Sequence, residues 1–375
     1  MLGINELRRK KVQFGLITAM VALVVYLLLM LNGLGNGLHQ AMIGSVAGLN
    51  GDLVVYDEDA NLSVQRSEVD AAALAAVART EGVAAAGPLG HLTLTLLPED
   101  GRRIDATLWG YEPGLPGEPD TLREGNPLAP GDVEHVLVDR SLAEEYGLRA
   151  GDALTLRAGG AERRVTVRGV VSEGKYAALP TVYATLTLWD ALKHANVTGE
   201  RPAASVVLVR AAEGADVGAL ARRIDGAVPG TQTVSRDAAA LAVGGVREQD
   251  SVVYGMLGFT YLVGTLIVGV FFYVLTLQKI GQIGVVKAVG ASTWYVFREL
   301  VKQVLAVMLL GTAVGAPLAA LTVQALRRQM PLFDIDPGSA VVGVLLLAAT
   351  ALLGTLFSAR QIARVDPIIA LGQVQ

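Results

Sequence analysis

Residues 279–292, KIGQIGVVKAVGAS, decide how the rest of the chain is organised. Apolar side chains recur there at steps of three residues, at Ile280, Ile283, Val286 and Val289. This spacing predicts a short amphipathic helix, with Gln282 and Lys287 off its apolar face. A soluble partner could push such a helix. The alternative interpretation is a solvated helix that lies on a membrane surface.

The composition indicates a protein that is partly embedded in a membrane. Hydrophobic residues make up 52% of the 375 residues and the mean hydropathy is +0.46, which is too apolar for an ordinary soluble protein of this size. Apolar runs long enough to cross a bilayer, about 18 residues or more, cover residues 14–31, 252–277, 304–326 and 338–357. These runs contain no Asp, Glu, Lys, Arg or His, which disfavours a proton-driven transporter.

The distribution of basic residues predicts the orientation of the spans. Ten Lys or Arg residues lie in the N-terminal segment, the loop after the second span and the C-terminal tail, against two in the loop before the fourth span. By the positive-inside rule, both termini and the 278–303 loop are cytoplasmic. A cleaved signal peptide is the alternative for the first apolar run, but that run exceeds the usual h-region of such a peptide.

The predicted fold class is a membrane protein with four transmembrane α-helices and a large α+β extracytoplasmic domain between the first two. Its localisation is the plasma or inner membrane. The segments are a cytoplasmic N-terminus at 1–13, a span with an outward extension at 14–39, the extracytoplasmic domain at 40–250, a span at 251–277, a cytoplasmic loop at 278–303, a span at 304–326, a short external loop at 327–337, a span at 338–358 and a cytoplasmic tail at 359–375.

The predicted external domain is acidic, with 30 Asp and Glu against 19 Lys and Arg. Because this charge repels phosphates, nucleic acid is not an expected partner. Helix patterns cover 67–80, 141–146 and 215–227. The first has Ser67 and Asp70 as a capping box, and the second lies between an N-cap at Asp139 and a glycine stop at Gly147. Strand patterns cover 52–56, 91–97, 104–109, 136–138, 153–157, 165–171, 182–185 and 205–209.

Motifs for chemistry on the chain are missing from the sequence. There is no cysteine, no GxxxxGK[ST] phosphate loop and no GxSxG elbow, and the four histidines are dispersed. Neither a catalytic residue, a metal site nor a cofactor is therefore expected on this chain. ATP and Mg would be held by a separate polypeptide, which supplies the energy.

Residues 282–292 resemble the cytoplasmic loop of MacB/FtsX-type ABC transporter permeases. That loop reads as a basic–acidic pair, Ile-Gly, two apolar residues, a basic residue, Ala, one residue and Gly-Ala-Ser, and here Gln282 replaces the usual acid. The C-terminal Ala359-Arg360, Val365-Asp366-Pro367 and Ala370-Leu371 resemble the basic tail and Asp-Pro motif of the same family. Residues 138–156 are similar to its external core domain, which implies a MacB-like core for the large domain.

The resemblance implies the membrane subunit of a two-component machine, most similar to the DevC and hemin-exporter branches. Two ATP-binding subunits would bind a homodimer of this chain and, through ATP-driven closure, move its external domains. This mechanotransmission would export an amphiphilic or lipophilic substrate. The implied docking residues for the ATPase are Lys279, Gly281, Gln282, Ile283, Gly284, Val286, Lys287, Val289 and Gly290.

Small and polar residues on the spans supply further candidate sites. Glycines on apolar helices predict homodimer packing at Gly33, Gly37, Gly255 and Gly258. Candidate substrate contacts lie at the outer end of the first span, at Asn32, Asn36 and His39. If haem were the substrate, its axial ligand would come from His39, Met20, Met30 or Tyr26.

Two alternatives to efflux stay open at this point. The first is an FtsX-like scaffold that activates an extracytoplasmic cell-wall hydrolase. The second is an extractor of outer-leaflet lipoproteins, which would need a lipid-binding cleft. Membrane lipid and an extracytoplasmic protein are accordingly further expected partners.

Overall fold

The computed structural model describes residues 11–172, 174–196, 201–278, 292–326 and 333–363. The predicted loop helix, apart from Ser292, and the tail from residue 364 lie outside them. The chain divides into a membrane unit, Met1–Gly37 with Asp250–Gln375, and a second unit, Leu38–Gln249, which we call the sheet domain.

The described helices are α1 (Lys11–Ala47), α2 (Ala71–Arg79), α3 (Arg140–Tyr146), α4 (Leu186–Lys193), α5 (Val217–Ala227), α6 (Arg236–Leu241), α7 (Val246–Gln278), α8 (Thr293–Leu326) and α9 (Pro337–Ala363). The strands are β1 (Leu53–Asp57), β2 (Val83–Pro98), β3 (Ile104–Tyr111), β4 (Leu122–Gly125), β5 (His135–Asp139), β6 (Ala153–Ala158), β7 (Ala161–Val171), β8 (Thr181–Thr185), β9 (Val206–Ala211) and β10 (Thr231–Ser235). A short 3₁₀ helix spans Glu58–Ala60.

The membrane unit is built around α1. Three helices of the described chain are long and apolar enough to cross a bilayer, with candidate spans at Phe14–Ala47, Val246–Phe271 and Val301–Leu326, and a shorter apolar stretch lies in α9 at Pro337–Leu353. The inner face of α1 is buried against the other helices at helical spacing. Its buried side chains include Phe14, Ile17, Val21, Val25 and Leu28.

The outer faces of α7, α8 and α9 carry exposed apolar side chains, such as Phe259, Leu309 and Leu345. In water such a surface would be unfavourable, whereas in a bilayer it meets hydrocarbon. The burial pattern therefore agrees with the composition: α1 is the packed core of the unit and the other three helices face outward.

The sheet domain begins with an α/β sandwich. Its antiparallel strands lie in the order β10-β1-β9-β2, with α2 following β1 and α5 following β9. This chain order, β-α-β-β-α-β, is that of a ferredoxin-like sandwich. Apolar side chains of α2 and α5 bury one face of the sheet around Val55, Val77 and Ile224.

The segment between β2 and β9 forms a second, barrel-like layer. The strands run in the order β2-β3-β8-β5-β7, and β6 pairs with both β7 and β2, which closes the ring. Closure leaves no free edge within the ring. Its interior is filled by side chains such as Leu96, Leu108 and Val138, and α3 and α4 cover it.

Two capping predictions can be compared with the structure. The capping box at Ser67 is wrong: Asp70 is the N-cap of α2 and accepts from the Ala73 N–H, while the Ser67 hydroxyl accepts from the Asp57 N–H at 2.9 Å. The predicted Asp cap and glycine stop around 141–146 are confirmed. Asp139 accepts from the Leu142 N–H, and Gly147 ends α3 with φ +76°.

The sequence patterns missed β4, β10, α4 and α6. The residues of β4 are all exposed at a sheet edge, so no burial alternation marks them. The strand β10 is polar apart from Val234 and is defined by pairing with β1. In contrast, β2 is longer than the predicted 91–97 because its first residues pair with β9.

Candidate functional site

Glycines bring α1 and α8 into close contact in the membrane unit. A Cβ atom on Gly311 would lie 2.5 Å from Val21 Cγ1, and one on Gly315 would overlap the Ala22 carbonyl oxygen. On α7, a Cβ atom on Gly264 would lie 2.8 Å from Val24 Cγ1. Small residues therefore allow the backbones to approach along the middle of α1, which favours a stiff helix pair.

A polar triad of Asn32, Asn36 and Ser339 joins α1 to the start of α9. The Asn36 amide donates to Asn32 Oδ1 at 3.2 Å and to Ser339 Oγ at 3.1 Å, and the Ser339 hydroxyl lies 3.0 Å from Asn32 Oδ1. Next to it, the Asp334 N–H donates to the Gly33 carbonyl at 2.9 Å. The candidate substrate contacts Asn32 and Asn36 thus bond to one another and to α9 in this structure.

The predicted dimer glycines fall into two groups. Gly33 and Gly37 are buried, and a Cβ atom on Gly33 would lie 2.8 Å from Ile335 Cγ1 of the same chain. Gly255 and Gly258 are exposed on α7, and a Cβ atom on either would meet nothing within 4 Å. Only the α7 pair lies on a surface that a second copy can reach without displacing a neighbour.

The residues considered for a haem ligand are spread along α1. Met20 is exposed, while Tyr26 and Met30 are partly buried and pack against the core of the membrane unit. His39 belongs to the sheet domain. Within the described residues there is no group of three or more His, Cys, Asp or Glu that could hold a metal ion.

The predicted ATPase-docking residues, 279–290, lie outside the described part of the chain. The structure does describe the helix that follows them. Ser292 precedes α8 and its hydroxyl accepts from the Tyr295 N–H at 3.2 Å, which is an N-cap contact.

The sheet domain contains buried titratable groups that the sequence analysis did not single out. Burial lowers the pKa of His91 to about 3, with a further contribution from Lys193. Burial raises the pKa of Asp139 to about 6, against hydrogen bonds from Leu142, Ser141 and Thr181. The sequence does show a histidine within an apolar strand and an aspartate at the start of a helix. These patterns do not reveal that both side chains are buried, and it is burial that shifts both pKa values.

Comparison with known families gives two matches that together cover most of the chain. Residues 14–227 match the MacB-like periplasmic core domain, and residues 254–367 match the FtsX-like permease C-terminal domain. The first match alone covers more than half of the chain. This chain belongs to the MacB/FtsX family of ABC transporter permeases. It is therefore a membrane protein of the cell membrane with a large extracellular domain.

Individual relatives are more distant. A protein of Staphylococcus epidermidis named as a hemin transport system permease, HrtB, is 28% identical over 145 residues, which is 39% of this chain and 41% of that protein. The match thus spans about two fifths of the length of this relative. An uncharacterized ABC transporter permease of Mycobacterium tuberculosis is 26% identical over 377 residues, covering 99% of this chain and 98% of the relative.

Among solved structures, the periplasmic region of MacB from Actinobacillus actinomycetemcomitans is similar to part of this chain. It has 16% sequence identity and a TM-score of 0.37, and the match covers 52% of this chain and 92% of that structure.

Proposed function

We propose that this permease subunit converts ATP-driven motion of a separate ATP-binding subunit into motion of its sheet domain. One observation supports this most directly: the 37-residue helix α1 is uninterrupted, and it belongs to both compact units of the chain. Its first part is the buried core of the membrane unit, and its last turns are part of a hydrophobic core of the sheet domain. A continuous, well-packed helix can carry displacement along its axis.

The orientation in the membrane is part of this proposal. The helix α9 is 27 residues long, enough to serve as a fourth span beside α1, α7 and α8. With both termini and the 278–303 loop in the cytoplasm, the apolar residues 283, 286 and 289 of the sequence would lie in the compartment that contains ATP. The sheet domain is then outside the cell, between the first and second spans.

The packing of the membrane unit favours a lever over a pore. The glycine contacts of α1 with α7 and α8 fill the middle of the unit, and the core around Val25 and Leu28 is apolar. Within the described helices, the apolar runs 14–31, 252–277, 304–326 and 338–357 contain no Asp, Glu, Lys, Arg or His. We therefore propose that an amphiphilic or lipophilic substrate is exported by movement outside the membrane. Hemin, named for a relative, is the minority candidate among such substrates.

A homodimer with two ATP-binding subunits completes the proposed machine. The second copy would pack on the exposed face of α7 that contains Gly255, Gly258 and Phe259. Gly33 faces its own chain, so we place the dimer contact on α7 alone.

The experiment that tests the proposal is the substitution Val286→Asp in the 278–303 loop. A charge buried unpaired in an apolar contact costs several kcal/mol, about 2–7 for a polar group and more for an ion. We expect the variant to insert normally but to lose stimulation of the copurifying ATP-binding subunit and to lose transport. Ser292→Asp introduces the same charge as an N-cap residue and should leave both activities unchanged.

Normal ATPase stimulation in Val286→Asp, with membrane insertion verified, would show that the loop is a solvated connector. The alternative function, activation of an extracytoplasmic hydrolase, uses the same lever. It is distinguished by the readout: a hydrolase that binds the sheet domain and is activated in an ATP-dependent way, with no efflux of lipophilic dyes.

A further inference from the structure

The loop between β7 and β8 holds the last turns of α1 through main-chain hydrogen bonds. The Ser45 N–H donates to the Lys175 carbonyl at 3.0 Å. In the other direction, the Ala177 N–H donates to the Met42 carbonyl at 2.9 Å and the Ala178 N–H donates to the Ala41 carbonyl at 2.8 Å. We call residues 41–45 and 174–179 together the clasp.

Two glycines set the distance between the helix and the loop in the clasp. A Cβ atom on Gly44 would lie 3.1 Å from the Cα of Gly174, and one on Gly174 would lie 3.4 Å from the Cα of Gly44. The neighbouring atoms are backbone, which cannot move aside as the end of a flexible side chain can. A Cβ atom at position 44 would therefore require the loop to shift by a few tenths of an ångström. A leucine adds three more carbon atoms beyond that Cβ, and we expect it to push the loop away from the helix and break the three hydrogen bonds.

The loop is a tight turn that only its surroundings can stabilise. Tyr176 and Leu179 exchange two backbone hydrogen bonds of 2.9 Å, and the central residues Ala177 and Ala178 have φ of +48° and +66°. Positive φ at both positions is the requirement of a type I′ turn, which favours Asn and Gly. Two alanines there cost about 1–2 kcal/mol each. The two N–H groups that bond to α1 offset this cost.

On its other side the clasp is joined to the sheet. The Tyr176 ring packs edge-on against His91 and Trp109 at centroid distances of 5.2 Å, and the Trp109 indole donates to Ser45 Oγ at 3.2 Å. These four side chains connect the turn, the strands β2 and β3, and the helix in one cluster.

Two charged groups hold the ends of the same loop. Lys175 forms an ion pair with Glu145 of α3 at 2.7 Å, and both side chains are largely shielded from solvent. The buried Asp139 accepts from the Thr181 N–H at 2.9 Å, where the loop enters β8. The loop is thus fixed to α1 by main-chain bonds and to the barrel layer by side chains.

We propose that the clasp is the point at which the sheet domain takes up motion of α1, and that Gly44 is the positioning residue for this coupling. This inference rests on the proposed function of the chain as a lever. Apolar contacts alone would allow a helix to slide along its axis, whereas a slide here would break three main-chain hydrogen bonds and the Trp109–Ser45 bond together. The sheet domain must therefore follow the helix.

The test uses the full chain with its copurifying ATP-binding subunit in lipid nanodiscs. Because the chain has no cysteine, spin labels can be placed at Arg103→Cys on the sheet domain and Val252→Cys on α7, both exposed. We expect the distance between the labels to change on addition of ATP and vanadate. In Gly44→Leu this change should be lost while the ATPase rate is retained.

Gly15→Leu is the matched control, because Gly15 lies on the same helix with nothing within 4 Å of its Cβ position. It should behave like the wild type. Ala178→Gly, which keeps the N–H and relieves the positive φ, should also retain the change. An equal change in Gly44→Leu would overturn the role of the clasp alone. A wild-type chain whose label distance does not respond to ATP would overturn the proposed function itself.

A measurement on the wild type covers the case in which Gly44→Leu does not fold. Amide hydrogen exchange should protect a peptide spanning residues 174–180 as strongly as the neighbouring strands, both with ADP and with ATP and vanadate. Fast exchange of the Ala177 and Ala178 amides, as in a free turn, would overturn the proposal.

Discussion

At the scale of single residues, burial shifts the pKa values of His91 and Asp139 in the sheet domain in opposite directions. His91 is neutral when folded, because burial lowers its pKa to about 3. Asp139 resists ionisation when folded, because burial raises its pKa to about 6. Between pH 7 and 5, the unfolded chain takes up the histidine proton and the folded chain takes up the aspartate proton. Their effects on the free energy of unfolding therefore oppose each other.

Replacing His91 by Phe should remove the loss of stability on acidification that the histidine causes. The folded pKa of the histidine is depressed, so its contribution to stability is present above about pH 6.5 and is lost as the pH falls. From pH 7.5 to 5 the loss is about 2 kcal/mol. We expect His91→Phe to lack this loss in urea unfolding followed by fluorescence of Trp109 and Trp189, which are both buried. The same pH slope as in the wild type would contradict the assignment.

Replacing Asp139 by Asn should have the opposite effect on the slope. The folded pKa is raised, so the contribution of Asp139 to stability is present at low pH and is lost as the pH rises through about 6. Acidification from pH 7 to 5 therefore gains about 1 kcal/mol in the wild type. Asp139→Asn should lose stability more steeply than the wild type over this range, in the same fluorescence assay. Because only the slopes are compared, a uniform cost of the substitution does not affect the test.

Strand glycines show why single residues matter for the packing of whole elements. A Cβ atom on Gly90 or on Gly110 would overlap the Trp189 side chain of α4, which is 1% exposed. The two glycines lie opposite each other in the β2–β3 register. They allow the indole to pack directly against the strand backbones, where its Nε1 donates to the His91 carbonyl at 3.1 Å.

At the scale of elements, the contact of α1 with α8 requires glycine at positions 311 and 315. The exposed face of α7 has no such requirement, because a Cβ atom on Gly255 or Gly258 would meet nothing within 4 Å. Gly315→Leu would force a side chain into the Ala22 backbone, which costs about 1–3 kcal/mol or more in a packed core. We expect a lower thermal midpoint and less monodisperse protein in detergent. Gly258→Leu should leave the midpoint unchanged, because nothing lies within 4 Å of its Cβ position.

The variant Gly258→Leu also tests the dimer surface proposed on α7. Gly258→Leu should weaken association of two copies in light scattering, because it lies on the face of α7 proposed for the second copy. Unchanged association would place the dimer contact elsewhere, while unchanged stability of Gly315→Leu would show that α1 and α8 can separate without cost.

At the scale of the whole molecule, the proposed orientation predicts labelling from opposite sides of the membrane. Thr93 of the sheet domain and Ser292 before α8 are both exposed, so each can be replaced by a single cysteine. We expect an impermeant maleimide to label Thr93→Cys in intact cells and Ser292→Cys only after lysis. Labelling of both positions in intact cells would contradict the positive-inside assignment. Ser67, although polar, is fully buried and would not serve.

Features that depend on composition and on local spacing could be predicted from the amino-acid sequence. Apolar runs must leave water, so the spans in α1, α7 and α8 could be predicted from hydropathy. The Asp139 cap and the Gly147 stop could be predicted because capping is a matter of a few adjacent residues. The motifs at residues 282–292 and in the tail indicated the family, which the comparison confirmed.

Features that depend on contacts between residues distant in the sequence become visible in the folded chain. The Ser67 hydroxyl accepts from Asp57 rather than capping α2, and the polar β10 is a strand because β1 lies beside it. The clasp joins residues 41–45 to residues 174–179 through backbone N–H and C=O groups, which all residues except proline carry and which therefore leave no pattern in the sequence. Gly33 and Gly255 both lie in apolar helices and cannot be told apart by sequence. A Cβ atom on Gly33 would lie 2.8 Å from Ile335 Cγ1, whereas one on Gly255 would meet nothing within 4 Å.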